Sequence, residues 1–260
     1  MRVRVTAHME APLVLAEELH LDGLLASAHP LCRAHSIGRH TPASALIQPP
    51  IPVASLTYAG ATVALASVAS FPDAARLGAS QAVSRRDADD VEALARPVHL
   101  GLGPGKNKLH TLPLVITPSV TWRCVGDRRG IIRLVKRLSH LGSWRSAGYG
   151  QVRAWEVVKE DGDPAEVLVA QGDAQRTLPV AWTTSAARTA IDAIASPYWH
   201  PARRMHAVVP PGAPCVLLPL VEEMVHGLAD PATQRAHRER HEARAAARRA
   251  VRDASVSAQA

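Results

Sequence analysis

The segment Leu141–Val152, LGSWRSAGYGQV, concentrates the residue types that could hold a phosphate group. Its three glycines, Gly142, Gly148 and Gly150, permit positive φ and close backbone approach. A loop of this kind with successive free N–H groups can form a concave nest for phosphate oxygens. Arg145 adds a permanent charge on a planar donor fork, and Ser146 and Tyr149 add hydroxyls. The alternative is a helix C-cap at Gly142 followed by a glycine turn, with Arg145 simply solvated. If Tyr149 and the glycines serve chiefly to build the fold, Arg145 is the residue left to touch a ligand.

A second group is Tyr198-Trp199-His200 beside Arg203-Arg204. Aromatic faces stack on unpaired bases while arginines hold the intervening phosphates, the usual chemistry of single-stranded RNA binding. In a chain with only nine aromatic residues, Tyr198 and Trp199 serve equally well as core plugs beside Pro201. Lys106 and Lys108 flank the end of a Gly-Pro-Gly turn, and Arg85-Arg86 open an acidic stretch; each pair is either solvated or an RNA contact. Among the 13 histidines, His8, His20 and His29 sit near the N-terminus, but no catalytic partner stands at a diagnostic spacing. The three cysteines, Cys32, Cys124 and Cys215, form no CxxC pair, and no HxxxH or carboxylate set suggests a metal. No cofactor is expected.

Residues 2–8 alternate, with Val3, Val5 and Ala7 on one face, which predicts a half-buried strand. A helix is expected from near Asp22 to Ala28, capped by that aspartate or by His20. Strand patterns return over residues 62–68 and 112–125, the latter interrupted by Pro113 and Pro118. Between them, Phe71 to His110 reads as a long, partly mobile excursion from the sheet. Asp127 is placed to cap a helix running to about His140, with Ile131, Leu134, Val135 and Leu138 inside and Arg129, Arg133, Lys136 and Arg137 outside. A strand over residues 151–158 follows. Strand, helix, strand, twice over, is the order of a ferredoxin-like α+β fold. Residues 1–160 thus make an RRM-like unit with an insertion at about 69–112. A smaller unit spans 161–228, with a hairpin, a helix over 181–194 and a short strand at 215–221. An arginine-rich tail spans 229–260.

The formal charge of +7 raises nucleic acid as a partner class. Seven arginines against three acids give the last 30 residues a net +4, so the body is only modestly basic. No stretch approaches the ~18 apolar residues needed to span a bilayer, and the sparse cysteines fit a reducing cytoplasm.

The order of residues in the glycine segment, between a basic helix and a strand, resembles the glycine-rich loop of the RAMP superfamily of CRISPR proteins. Trp144 is a departure, standing where a smaller or basic residue is expected. Leu19–Leu25 is similar to the start of the first helix in that superfamily. Ser84-Arg85-Arg86-Asp87, the Gly103-Pro104-Gly105-Lys106 turn and Pro197–Arg204 resemble the Cas5-like subunit of type IV CRISPR effectors, which caps the five-prime handle of the guide RNA. That resemblance covers about residues 1–225. It implies a non-catalytic RNA-binding subunit whose partners are the guide RNA and the backbone and large subunits, with target DNA near the flanking motif a further contact. It also implies a β-hairpin thumb within the excursion. A RAMP endoribonuclease that matures the guide, using one of the three histidines, is the rival reading; an RNA-binding protein outside CRISPR is another.

Overall fold

The computed structural model describes residues 1–15, 17–34, 40–46, 48–84 and 108–230. Strand β1 (Arg2–Met9) forms where the alternation predicts it, with Val3, Val5 and Ala7 fully buried. Further along the chain come β2 (Leu13–Val14), α1 (Leu21–Ala28), a short α2 (Pro30–Ala34), β3 (Ser55–Tyr58) and β4 (Ala61–Ala64). Then follow β5 (Arg76–Ser84), β6 (Lys108–Ile116), β7 (Ser119–Val125), α3 (Arg128–Val135) and β8 (Val152–Lys159). β1 lies between β7 and β8, antiparallel to both, with Val5 opposite Trp122 on one side and Val157 on the other. Residues 65–70 run beyond β7 as an irregular fourth strand: Ser70 and Thr121 exchange bonds of 2.8 and 3.0 Å, and Val125 N–H donates to Leu65 O at 2.9 Å. The sheet therefore has the order β8-β1-β7-(65–70), and α1 and α3 cover one face. Leu21 and Leu25 of α1 and Ile131 and Val135 of α3 meet Val3, Val5 and Trp122 there. This is the expected α+β, ferredoxin-like arrangement.

Several boundaries differ from expectation for local reasons. His20 occupies the N-cap of α1 but makes no capping bond; its ring and the Asp22 carboxylate point elsewhere. The strand expected over 62–68 is divided. Ala59 and Gly60, at φ 47° and 76°, turn β4 back onto β3, and residues beyond Ala64 move to the edge of β7. Pro118, without an N–H, separates β6 from β7. α3 is capped by Asp127, whose side chain accepts from Arg129 and Gly130 N–H at 3.3 and 3.1 Å. It stops at Val135, short of His140. The Leu138 carbonyl accepts the Trp155 indole N–H at 2.9 Å, and His140 pairs with Gln151, so the chain is drawn toward β8. Leu138 nonetheless joins the buried stripe.

The excursion from the sheet is hairpin-like at its base. β5 and β6 pair over nine residues, from Arg76 opposite Ile116 to Ser84 opposite Lys108, and β2 adds to β6. Residues 85–107 and the tail from 231 lie outside the described residues.

After β8 come β9 (Val169–Ala170), β10 (Asp173–Ala174), β11 (Leu178–Pro179), β12 (Thr183–Ala186), β13 (Thr189–Ala193), β14 (Arg204–Val208), β15 (Cys215–Leu217) and α4 (Pro219–Ala229). The helix expected over 181–194 is instead β12 and β13, and the threonines there suit strands better than helix. α4 begins with Pro219 in its first turn and buries Val221 and Val225, one turn apart. A second core of Leu168, Leu178, Trp182 and Val208 takes in Leu56 and Val63 of the β3–β4 hairpin, so that hairpin ties the two units together. Among the described residues, no helix is long and apolar enough to cross a membrane.

Candidate functional site

The glycine segment is a folded loop braced on the β5–β6 arm. Arg145–Ala147 make a single 3-10 turn between Trp144 and Gly148, both left-handed at φ 56° and 87°. Gly142 and Gly150 also sit at φ 71°. A Cβ at Gly142 would lie 2.6 Å from Val14 O, and one at Gly150 would overlap the Leu141 carbonyl. These two glycines are required by close approach. The N–H groups of Ser143, Ala147, Gly148 and Gly150 donate to Val14, Trp144, Arg145 and Pro12 carbonyls at 2.8–3.0 Å. Much of the donor set that a phosphate nest would need is thus used internally. The Arg145 and Ser146 side chains, by contrast, are exposed.

Two aromatic residues fix the loop to the arm. The Tyr149 hydroxyl lies 3.2 Å from Ser80 Oγ on β5. Trp144 meets His110 of β6 edge-on at 5.4 Å between ring centres, which offsets part of the cost of its left-handed backbone. Lys108, exposed, lies two residues along β6 from His110 and so on the same face. Lys106, Arg85 and Arg86 fall outside the described residues.

The Tyr198–Arg204 cluster is divided between inside and outside. The Tyr198 ring stacks on His20 at 3.9 Å, and its hydroxyl lies 2.8 and 2.9 Å from the two Asp22 carboxylate oxygens. Arg176, fully buried, donates to Tyr198 Oη at 3.0 Å, to Ala66 O and Ile194 O at 2.9 Å each, and to Ala64 O. Burial and the Asp22 carboxylate hold the Tyr198 hydroxyl well above its usual range, so it remains a donor. His200 is also buried; its Nδ1 accepts from Ala202 N–H at 3.2 Å, so Nε2 donates to Thr41 O at 2.9 Å. Arg203 is half-buried, with the Gln48 amide oxygen on its terminal nitrogens at 3.0 and 3.1 Å. Trp199, 41% exposed, and Arg204 on β14 face outward. Nothing in the spacing of Asp22, Arg176 and Tyr198 indicated that they meet.

His20 is pushed well below its ordinary value by burial first and by Arg176 second, and its Nδ1 has no partner. It is buried behind Tyr198, away from any solvent-borne substrate. The native state favours neutral imidazole, so its contribution to stability is present above pH 6.5 and is lost as pH falls through the lower folded-state value. His20→Phe, which preserves stacking, should therefore flatten the fall in melting temperature between pH 7.5 and 5.5 relative to the parent. An unchanged slope would refute this. His8 stands half-exposed, 3.9 Å from Glu156, and His29 accepts the Leu31 N–H through Nδ1. Burial raises Cys124 to about 12 and Cys215 to about 11, so neither is a ready thiolate. Among the described residues, no cluster of His, Cys, Asp or Glu could hold a metal ion.

The strands, helix and loop described above fall largely within one family match. A sequence model of the family described as CRISPR type IV associated protein Csf3 matches residues 69–210, more than half of the chain. That span holds the β5–β6 arm, α3, the glycine loop and most of the second unit. None of the curated proteins compared with the chain matches it. With the ferredoxin-like sheet, the loop and the matched span in agreement, this chain belongs to the Csf3 family of type IV CRISPR proteins.

Proposed function

We propose that this chain is a non-catalytic subunit of a type IV CRISPR ribonucleoprotein that caps the five-prime handle of the guide RNA and contacts the backbone and large subunits. The observation that carries the reading is the glycine loop: rigidly seated on the arm by Trp144 and Tyr149, it leaves Arg145 and Ser146 exposed near the face of β6 that bears Lys108. A guanidinium carried on a braced loop beside the hairpin arm can hold a phosphate while the arm positions the adjoining nucleotides. Trp199 and Arg204 supply an outward aromatic and cation for an unpaired base and its phosphate. Sequence reading of the target is left to base pairing, so the protein need recognise only the handle and local shape.

The test is to mix the full chain with guide RNA carrying or lacking its handle. Preference for the intact handle, with the RNA recovered uncut, is the expected result. Metal-independent cleavage at one position, abolished by His8→Ala, would overturn the reading in favour of an endoribonuclease. Equal binding of both RNAs would overturn the handle-capping role.

A further inference from the structure

Residues 128–137 carry Arg128, Arg129, Arg133, Lys136 and Arg137 and no acid, whereas the described residues together hold 18 Lys and Arg against 16 Asp and Glu. All of the positive excess of the described body therefore sits on α3 and its last turn. The helix carries this charge against its own interest. Arg128 and Arg129 occupy its first turn, where the dipole favours acids, and the Asp127 cap is the one acid at that end. Arg129, Arg133 and Arg137 recur every four residues, so like charges stack along one face. Arg129, Arg133 and Lys136 are exposed, and no ion pair neutralises them among the described residues. A polyanion lying along this face relieves both conflicts.

Beside the helix runs a groove of about 270 Å³ between α3 and β8, lined by Arg128, Ile132, Lys136, Trp155, Glu156 and Val157. Its geometry is held from several sides. Arg128 Nε donates to Val157 O at 2.7 Å, Trp155 donates to Leu138 O, and the Trp155 ring packs 6.1 Å from that of Trp122. The Arg128 bond also occupies the outer edge of β8, which argues against addition of another strand there. What remains is an apolar floor with an immobilised indole, with Arg128 and Lys136 on the helix side and Glu156 on the strand side. An unpaired base flanked by phosphates fits that combination.

We propose that α3 and this groove form a second contact surface for single-stranded RNA, the arginine face tracking phosphates and the groove taking one base against Trp155. This rests on the RNA-binding reading above and extends it to residues outside the glycine loop. The experiment measures binding of the full chain to a labelled oligouridine 20-mer across a salt series. Arg129→Gln with Arg133→Gln should weaken binding about ten-fold near 0.1 M salt and flatten the salt slope by about 1.4. Melting temperature should hold or rise, since like-charge repulsion is removed. Lys136→Gln, a single exposed change, should give a smaller loss of the same kind. Photo-crosslinking with 5-iodouridine RNA should label the Trp155 peptide.

Affinity and slope unchanged in both α3 variants, while Arg145→Ala weakens binding of the handle-bearing guide, would sink this proposal and leave the glycine-loop reading standing. Tighter binding of duplex than of the 20-mer, or crosslinks that avoid β8, would overturn the base-groove assignment. No RNA binding by the parent chain would overturn both readings.

Discussion

Arg176→Met is expected to destabilise the folded chain by about 3–5 kcal/mol, the usual cost of removing one partner from a buried ionic network. The guanidinium is fully buried and spans both units. It satisfies carbonyls of Ala64 and Ala66 on the chain leaving β4, the Ile194 carbonyl in the second unit and the Tyr198 hydroxyl. Asp22, on α1, lies 3.9 Å away and is bound to the same hydroxyl. A methionine of similar length fills the space but leaves four carbonyls, Thr177 O among them, without this donor and a buried carboxylate without its cation. Arg176→Lys should also be costly, because a single ammonium cannot replace the fork. Against a typical domain stability of about 5–15 kcal/mol, either change should greatly lower the yield of soluble protein. Urea unfolding of the Met variant within about 1 kcal/mol of the parent would show that the network is dispensable.

Gly150→Ala is the second large effect. The position combines φ 71° with a Leu141 carbonyl where the new methyl would go. The left-handed backbone costs an L-residue about 1–2 kcal/mol, and overpacking against fixed backbone adds about 1–3 kcal/mol. Relief by shifting the chain would break the Leu141 N–H to Gly150 O and Gly150 N–H to Pro12 O bonds, each 2.8 Å. Gly148 is the internal control. Its φ of 87° is equally left-handed, but nothing lies within 4 Å of a Cβ built there. Gly148→Ala should therefore cost only the backbone part. Thermal melts giving the two variants equal losses would contradict the packing account of this loop.

The legible parts of the fold are those where burial imposes a period. β1 alternates because helices cover one face and not the other; α3 shows its buried stripe and its aspartate cap; β8 is announced by the glycines before it. β5 was not legible, because Leu77 is 88% exposed and neither face of the arm is deeply buried along its length, so no alternation arises. The sequence of β12 and β13 suggests a helix because their alanines suit either state until neighbouring strands decide. The loop's residue types were legible as a candidate site, but its bracing by Ser80 and His110 depends on strands distant in sequence. The same holds for the segment after Ser196. Tyr198 and His200 look from sequence like Trp199 and Arg204, and only tertiary packing separates the inward pair from the outward pair.

Recognition of the guide handle through the exposed end of the glycine loop is the central claim, and Arg145→Ala tests it most directly. The Arg145 side chain is exposed and enters no ion pair among the described residues, so the substitution should leave the melting temperature within about 1 °C, as for an ordinary surface change. Loss of one charge-assisted phosphate contact, worth about 1.5–3 kcal/mol, should weaken binding of the handle-bearing guide by about ten-fold or more. Binding of a guide without the handle should change little. Undiminished handle preference in the Arg145→Ala protein, at unchanged stability, would contradict the account.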